Sequence, residues 1–196
     1  MKNFKYILNI FVLSYLIMPV LASGNQDLKD AENWLNNLTT MKAEFIQVSS
    51  DGSSVEGIVY IKKGKGFRFE YFPPSPLLIV GRGSWVIVQN LNDKTSDNYP
   101  ISQTPLSKFL SDKVSLNSKK FFTTTKNDKG IISIQMISKE KAGSSLTLDF
   151  SNKPFQLRRW KIIDQVGTEI MVTLQNHSYG MELPDKTFRG IAFPVN

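Results

Sequence analysis

The sequence predicts a mainly β protein: a strongly curved antiparallel sheet or barrel of about eleven strands, with an N-terminal helix and one short helix against an apolar interior. Three observations predict it. From residue 41 onward, apolar and polar residues alternate with a period of two in segment after segment. Short turns separate the segments, among them Asp51-Gly52-Ser53-Ser54, Asn127-Asp128-Lys129-Gly130 and Gln165-Val166-Gly167. Only two stretches carry helical spacing, too few to cover both faces of a flat sheet this size, so the sheet has to curl around its own apolar face.

The elements follow in order. Lys2 and Lys5 precede an apolar run from Tyr6 to Val20, and Val20-Leu21-Ala22 ends in a small residue. Residues 1–22 therefore read as a cleaved signal peptide and 23–196 as a single exported domain. The apolar run is short for a membrane span, which needs about 20 residues. Asp27 to Leu38 reads as an amphipathic helix with Leu28, Ala31, Leu35 and Leu38 on one face and Trp34 beside them. Strands follow at 41–48 and from Val55, the latter turning at Lys63-Gly64-Lys65-Gly66 into Phe67-Arg68-Phe69-Glu70-Tyr71. Pro73, Pro74 and Pro76 then stop ladder pairing, because proline has no N–H to donate.

Further strands are expected at 77–81, 85–89 and 94–99. Thr104-Pro105 then has the form of a helix start, with Leu106, Phe109 and Leu110 on one face. Strands resume at 121–126, 131–138, 144–150, 155–164 and 168–177, and the tail from Met181 carries Leu183, Phe188 and Phe193 to pack across the sheet.

Composition narrows the function classes. The chain has no cysteine, which excludes disulfides, thiolate metal sites and a lipid-modified N-terminal cysteine. The formal net charge is +7, of which the leader's lysines supply two, and no run of Lys and Arg exceeds two, a poor match to a nucleic-acid surface. His177 is the only histidine, so no paired-imidazole metal site can form. There is no G-x-S-x-G elbow, P-loop or dinucleotide fingerprint. Glu56 and Glu70 could approach each other on paired strands, but beside Lys62 and Arg68 they read as solvated ion pairs rather than a glycosidase pair. A non-enzymatic protein without cofactor or metal is expected. What remains is an apolar interior to which Phe45, Ile58, Tyr60, Phe67, Phe69, Tyr71, Ile79, Trp85, Leu106, Phe109 and Leu110 are the candidate contributors. Packed core and cavity lining are both open readings for them.

The order of these signals resembles the LolA family of periplasmic lipoprotein carriers. The resemblance runs through the N-terminal helix, Phe45 and Gln47, Asp51-Gly52, Gly57, Tyr60-Ile61-Lys62-Lys63, Phe67, the Pro74-Ser75-Pro76 turn and Thr104-Pro105-Leu106. It implies an unclosed, half-barrel sheet with helices as a lid. It implies a cavity for the acyl chains of lipoproteins, lined by Phe45, Ile58, Tyr60, Phe67, Phe69, Tyr71, Ile79 and Trp85, under a lid of Leu106, Phe109 and Leu110. The implied partners are lipoproteins, an inner-membrane lipoprotein-releasing ABC transporter and, where present, the outer-membrane acceptor LolB. A periplasmic monomer is implied, with a related lipid-binding or envelope-stress-sensing protein as the alternative.

One departure stands out. The family commonly has an arginine followed by proline where this chain has Lys63-Gly64. Lysine keeps the charge but loses the planar fork, so the resemblance makes Lys63 the candidate lid latch and Arg68 a second.

Overall fold

The computed structural model describes residues 23–104, 107, 111 and 113–193; the leader, Leu106, Phe109 and Leu110 lie outside them. Helix α1 (Ser23–Asn37) is followed by β1 (Thr40–Ser49), β2 (Ser54–Lys62), β3 (Gly66–Tyr71), β4 (Leu77–Arg82), β5 (Trp85–Asn90) and β6 (Thr95–Pro100). After a 3-10 turn at Ile101–Gln103 come β7 (Phe121–Asp128), β8 (Ile131–Ser138), β9 (Ser145–Asn152), β10 (Phe155–Ile163) and β11 (Glu169–Tyr179). All eleven join one sheet, in the spatial order 6-5-4-3-2-1-11-10-9-8-7, and every neighbouring pair is antiparallel. The chain therefore makes two meanders joined at one seam, β1 against β11. β6 and β7 are edges, so the sheet is curved but not closed, and residues 101–120 connect them.

Two bulges help to bend it. The β1–β11 register slips between Lys42 and Glu44, opposite Asn176, whose φ is +51°. The β10–β9 register slips between Leu157 and Arg159, so Leu157 and Trp160 both turn inward although three residues apart. An extra residue on one strand sharpens local twist and bends the ladder, as a strongly curved sheet requires.

The inner face carries the main core: Met41, Ala43 and Phe45 of β1, Val59 and Ile61 of β2, Phe67 and Phe69 of β3, and Ile132, Ile134 and Met136 of β8 with their neighbours. Helix α1 lays Ala31 and Leu35 on this core. Trp34 meets Phe150 edge-on at 5.6 Å, and Asn127 at the end of β7 donates to Asp27 at 3.2 Å. Asp27 thus sits by the 128–130 turn, while the other end of α1 reaches Lys63 in the β2–β3 turn. In the sheet register both turns lie at one end, so α1 spans that end.

The outer face of β2–β5 is also apolar. Leu78 and Val80 are buried there under Leu183 and Phe188 of the tail, with Tyr60 and Met181 packed against them. The tail is held through its backbone by four different elements. Thr40 donates to Met181 O at 2.8 Å, Lys62 to Leu183 O at 2.7 Å and Arg68 to Arg189 O at 2.9 Å. The buried Gln89 amide both donates to Ile191 O and accepts from Ile191 N, at 2.8 and 2.7 Å, as a neighbouring strand would.

Candidate functional site

The inner face of β1–β4 is filled by aromatic rings. Phe45 meets Phe69 at 5.4 Å and Tyr71 at 5.1 Å; Phe69 meets Phe67 at 5.7 Å and Trp160 at 6.1 Å, all edge-on. Edge-to-face packing sets the positive rim of one ring against the negative face of the next. Two glycines make room. Gly57 pairs with Phe45 and Gly81 with Phe67 across the ladder. A Cβ on Gly81 would lie 2.3 Å from the Phe67 ring, and one on Gly57 2.7 Å from the Phe45 ring and 2.1 Å from the Glu70 carbonyl oxygen. The rings therefore lie flat on the neighbouring backbone and close the space beneath them. Tyr71 shares this environment: its hydroxyl donates to Gln47 at 2.9 Å, and burial pushes its pKa up to about 12.

Of the residues expected to line a cavity, Phe45, Phe67, Phe69, Tyr71 and Ile79 share the inner face. Ile58, Tyr60 and Trp85 do not, which corrects the expectation for those three. Ile58 pairs with Glu70 and Tyr60 with Arg68, on the opposite face of β2, and Tyr60 packs against the tail cluster. The physical reason is that both faces of β2 are covered, so Val59-Tyr60-Ile61 offers no polar side by which to tell inside from outside. Trp85 pairs with Arg82 and Pro100 and is 54% exposed.

The open space lies in the other meander. A cavity of about 720 Å³ is bordered on the sheet side by Phe121, Met136, Leu146 and Ile162, all part of the inner-face cluster. Ile101, Ser102, Thr104, Ser107 and Ser111 of the β6–β7 connection border it on the other side. Its rim is formed by Lys120, by the β8–β9 turn with Glu140 and Lys141, and by Asp164, Gln165 and Val166 of the β10–β11 turn. These turns stand at the end of the sheet opposite α1. The volume suits a small-molecule ligand, for which pockets run roughly 300–1,000 Å³. The apolar floor favours an apolar ligand. None of the eight expected lining residues borders this cavity. The signals that mark its floor are the alternation of Ile134 with Met136 and of Leu146 with Leu148; that the space above them is empty depends on where residues 101–111 run.

Lys63 fastens the connection indirectly. Its Nζ donates to the backbone O of Asn36 at 2.9 Å and to Asn36 Oδ1 at 3.0 Å. Asn36 in turn donates to Val114 O at 2.9 Å and accepts from Val114 N at 2.8 Å. One helical turn earlier, Glu32 accepts from Leu116 N at 2.7 Å. Side chains of α1 thus act as a strand-like partner for residues 114–116, with Lys63 on the far side of Asn36. A crevice of about 400 Å³ lies alongside, bordered by Asn36, Lys62, Lys63 and Lys65. Arg68, the second latch candidate, is on the outer face. It pairs with Glu70 and donates to the tail, so it fastens the tail and not the connection.

His177 donates or accepts through Nε2 at Leu157 O, 2.9 Å away, and stacks on Tyr179. Burial, followed by the neighbouring Arg158 charge, holds its pKa below the ordinary value against the opposing backbone contact. Among the described residues no group of three His, Cys, Asp or Glu could hold a metal, and no helix is long and apolar enough to cross a membrane.

Comparison with known proteins adds the following. The family described as outer membrane lipoprotein carrier protein LolA matches residues 36–190. An uncharacterised protein of Rickettsia prowazekii (strain Madrid E) is 25% identical over 163 residues, covering 82% of this chain and 76% of that protein. A crystal structure of an uncharacterised conserved protein from Thermus thermophilus matches 86% of this chain and 93% of its own, with 11% identity and a TM-score of 0.53. The Pseudomonas aeruginosa MucA/MucB complex matches 84% of this chain and 61% of its own, with 8% identity and a TM-score of 0.52. At such identities these two likenesses concern the fold.

Proposed function

The chain belongs to the LolA family, and from that premise we propose that it is a periplasmic carrier that buries the acyl chains of lipoproteins and moves them between the inner and outer membranes. The observation that carries this reading is the cavity of about 720 Å³ floored by Phe121, Met136, Leu146 and Ile162 beneath the β6–β7 connection. Acyl chains in water are unfavourable by about 0.8 kcal/mol per CH₂, so a carrier needs enclosed apolar area. It also has to let go. A roof made of a connection rather than of sheet can move without breaking a strand ladder, and an empty cavity that the roof partly fills weakens net binding. The donor would be a lipoprotein-releasing transporter of the inner membrane and the receiver an outer-membrane acceptor such as LolB.

The cavity tested is the one by β7–β10, not the aromatic cluster of β1–β4. Ser107→Trp should fill it and Ile162→Glu should place an unpaired charge on its floor. Each should lower affinity for a fluorescent fatty-acyl probe tenfold or more while circular dichroism stays that of the parent. Folded proteins of both variants that load the probe as the parent does would sink the reading. Native mass spectrometry of periplasmic material then identifies cargo: triacylated protein supports the carrier, and free lipid alone supports a lipid-binding or stress-sensing relative.

A further inference from the structure

The rim of the cavity has a composition that the binding of an acyl chain inside does not call for. Phe122 is 61% exposed on the outer face of β7, cross-strand from the exposed Ile137 of β8. Val166, at the tip of the β10–β11 turn, is 87% exposed and borders the cavity. An apolar side chain at a turn tip has nothing of its own chain to cover it. Lysines stand along the same rim. Lys139 Nζ stands 4.4 Å from the centre of the Phe122 ring, and Lys141 borders the cavity. Lys119 and Lys120 precede β7, and Lys139 N–H donates to Lys120 O at 2.9 Å, which sets the two basic stretches side by side. The rim's acids are engaged: Glu140 pairs with Lys120 at 3.4 Å, and Asp164 accepts N–H bonds from Val166 and Thr168 of its own turn.

Exposed apolar tips ringed by cations match one kind of surface. Apolar tips enter the acyl boundary of a bilayer, and lysines among anionic headgroups are held by a field that falls off within a Debye length. We propose that this rim docks on a membrane surface rich in anionic phospholipid, with Phe122, Ile137 and Val166 entering the interface and Lys119, Lys139 and Lys141 among the headgroups. An acidic protein face would satisfy the lysines but leave Val166 and Phe122 without an apolar layer to enter. Docking in this way sets the cavity mouth against the bilayer, so an acyl chain could pass between them without crossing water. The proposal goes beyond the cavity reading: Val166 and Lys141 stand on the cavity's rim, but Phe122, Ile137, Lys119 and Lys139 do not border it.

Flotation with vesicles tests it. The protein should float with vesicles of equal parts phosphatidylglycerol and phosphatidylcholine, not with phosphatidylcholine alone, and raised salt should release it. Lys119→Glu combined with Lys139→Glu, two residues that do not border the cavity, should lower the floated fraction tenfold or more, with unchanged circular dichroism. The chain has no cysteine, so Val166→Cys gives a unique site for an environment-sensitive dye. Its emission should shift to the blue on the anionic vesicles, whereas the dye on Lys153→Cys, at the far end of the sheet, should not respond. Equal flotation with both vesicle types, no flotation at low salt, or charge-reversed protein that floats like the parent would each overturn the proposal. The acyl-probe assay on the charge-reversed protein separates the two ideas, because loading there should equal the parent's.

Discussion

On the inner face of β3 the Phe69 ring touches those of Phe67 and Phe45, whereas on β8 and β9 Met136 and Leu146 border open space. The outer faces differ as well. Leu78 and Val80 of β4 lie under the tail, while among the described residues the outer ones of β8 and β9, such as Ser133, Gln135 and Thr147, stay partly exposed. One meander is thus packed on two sides and the other on one. On the proposed carrier reading, β1–β6 would be the part that keeps its shape and β7–β10 the part that receives.

The comparison can be broken most sharply in the packed half. Phe67→Ala should cost about 3–5 kcal/mol, since the ring is fully buried and its neighbours cannot close the gap. Met136→Ala, equally buried but beside a cavity already present, should cost about 2 kcal/mol, the low end for such truncations. Urea denaturation of the two proteins measures the difference; equal losses would mean that the halves are packed alike. Next in size, Phe188→Ala should cost about 3 kcal/mol by uncovering Val80 and Leu78, yet leave acyl-probe affinity unchanged. A change in affinity would show that the outer cluster and the cavity are coupled.

Asn36→Ala should cost about 1–3 kcal/mol by leaving both backbone groups of Val114 without the partner they have now. Hydrogen exchange should then rise at Val114 and Leu116 and not in β2 or β3. Lys63→Arg should be close to neutral, since a guanidinium can still reach Asn36 O. The smallest effect concerns His177. Its pKa in the fold is held below the unfolded value of about 6.5, so on acidification the unfolded chain takes up the proton first. Stability should therefore fall as pH drops below about 6.5, and His177→Gln should flatten that slope in thermal melts between about pH 7 and 5, a range set by the same reference value.

Much of this division is visible in the amino-acid order, and the part that is not has a physical cause. The eleven strands and their turns can be read because β8, β9 and β11 are covered on one side, so Ile132, Ile134 and Met136 alternate cleanly with Ser133 and Gln135. In β2 and β4 the tail covers the second side, and apolar residues on both faces erase the distinction; for that reason Ile58 and Tyr60 read as interior. The candidate site suffers from a different gap. Ring size suggests that Phe45, Phe67 and Phe69 line a cavity, but Gly57 and Gly81 let those rings settle onto the backbone and fill it. Lys63 is legible as a basic turn residue, though its contact with α1 rests on Asn36, which no pattern singles out.

The seam between β1 and β11 has a consequence for how the chain reaches this shape. Every other strand pairs with its neighbour in sequence, through turns that close in microseconds or less. β1 and β11 meet across almost the whole chain, and ordering so long a loop gains nothing until its ends have joined. The two meanders should therefore assemble first as separate runs of hairpins, and zipping of the seam should limit the folding rate. Substitutions at Glu44 or Asn176, which bond across the seam at 2.6 Å, should then slow folding, while substitutions in the β5–β6 hairpin should mainly speed unfolding.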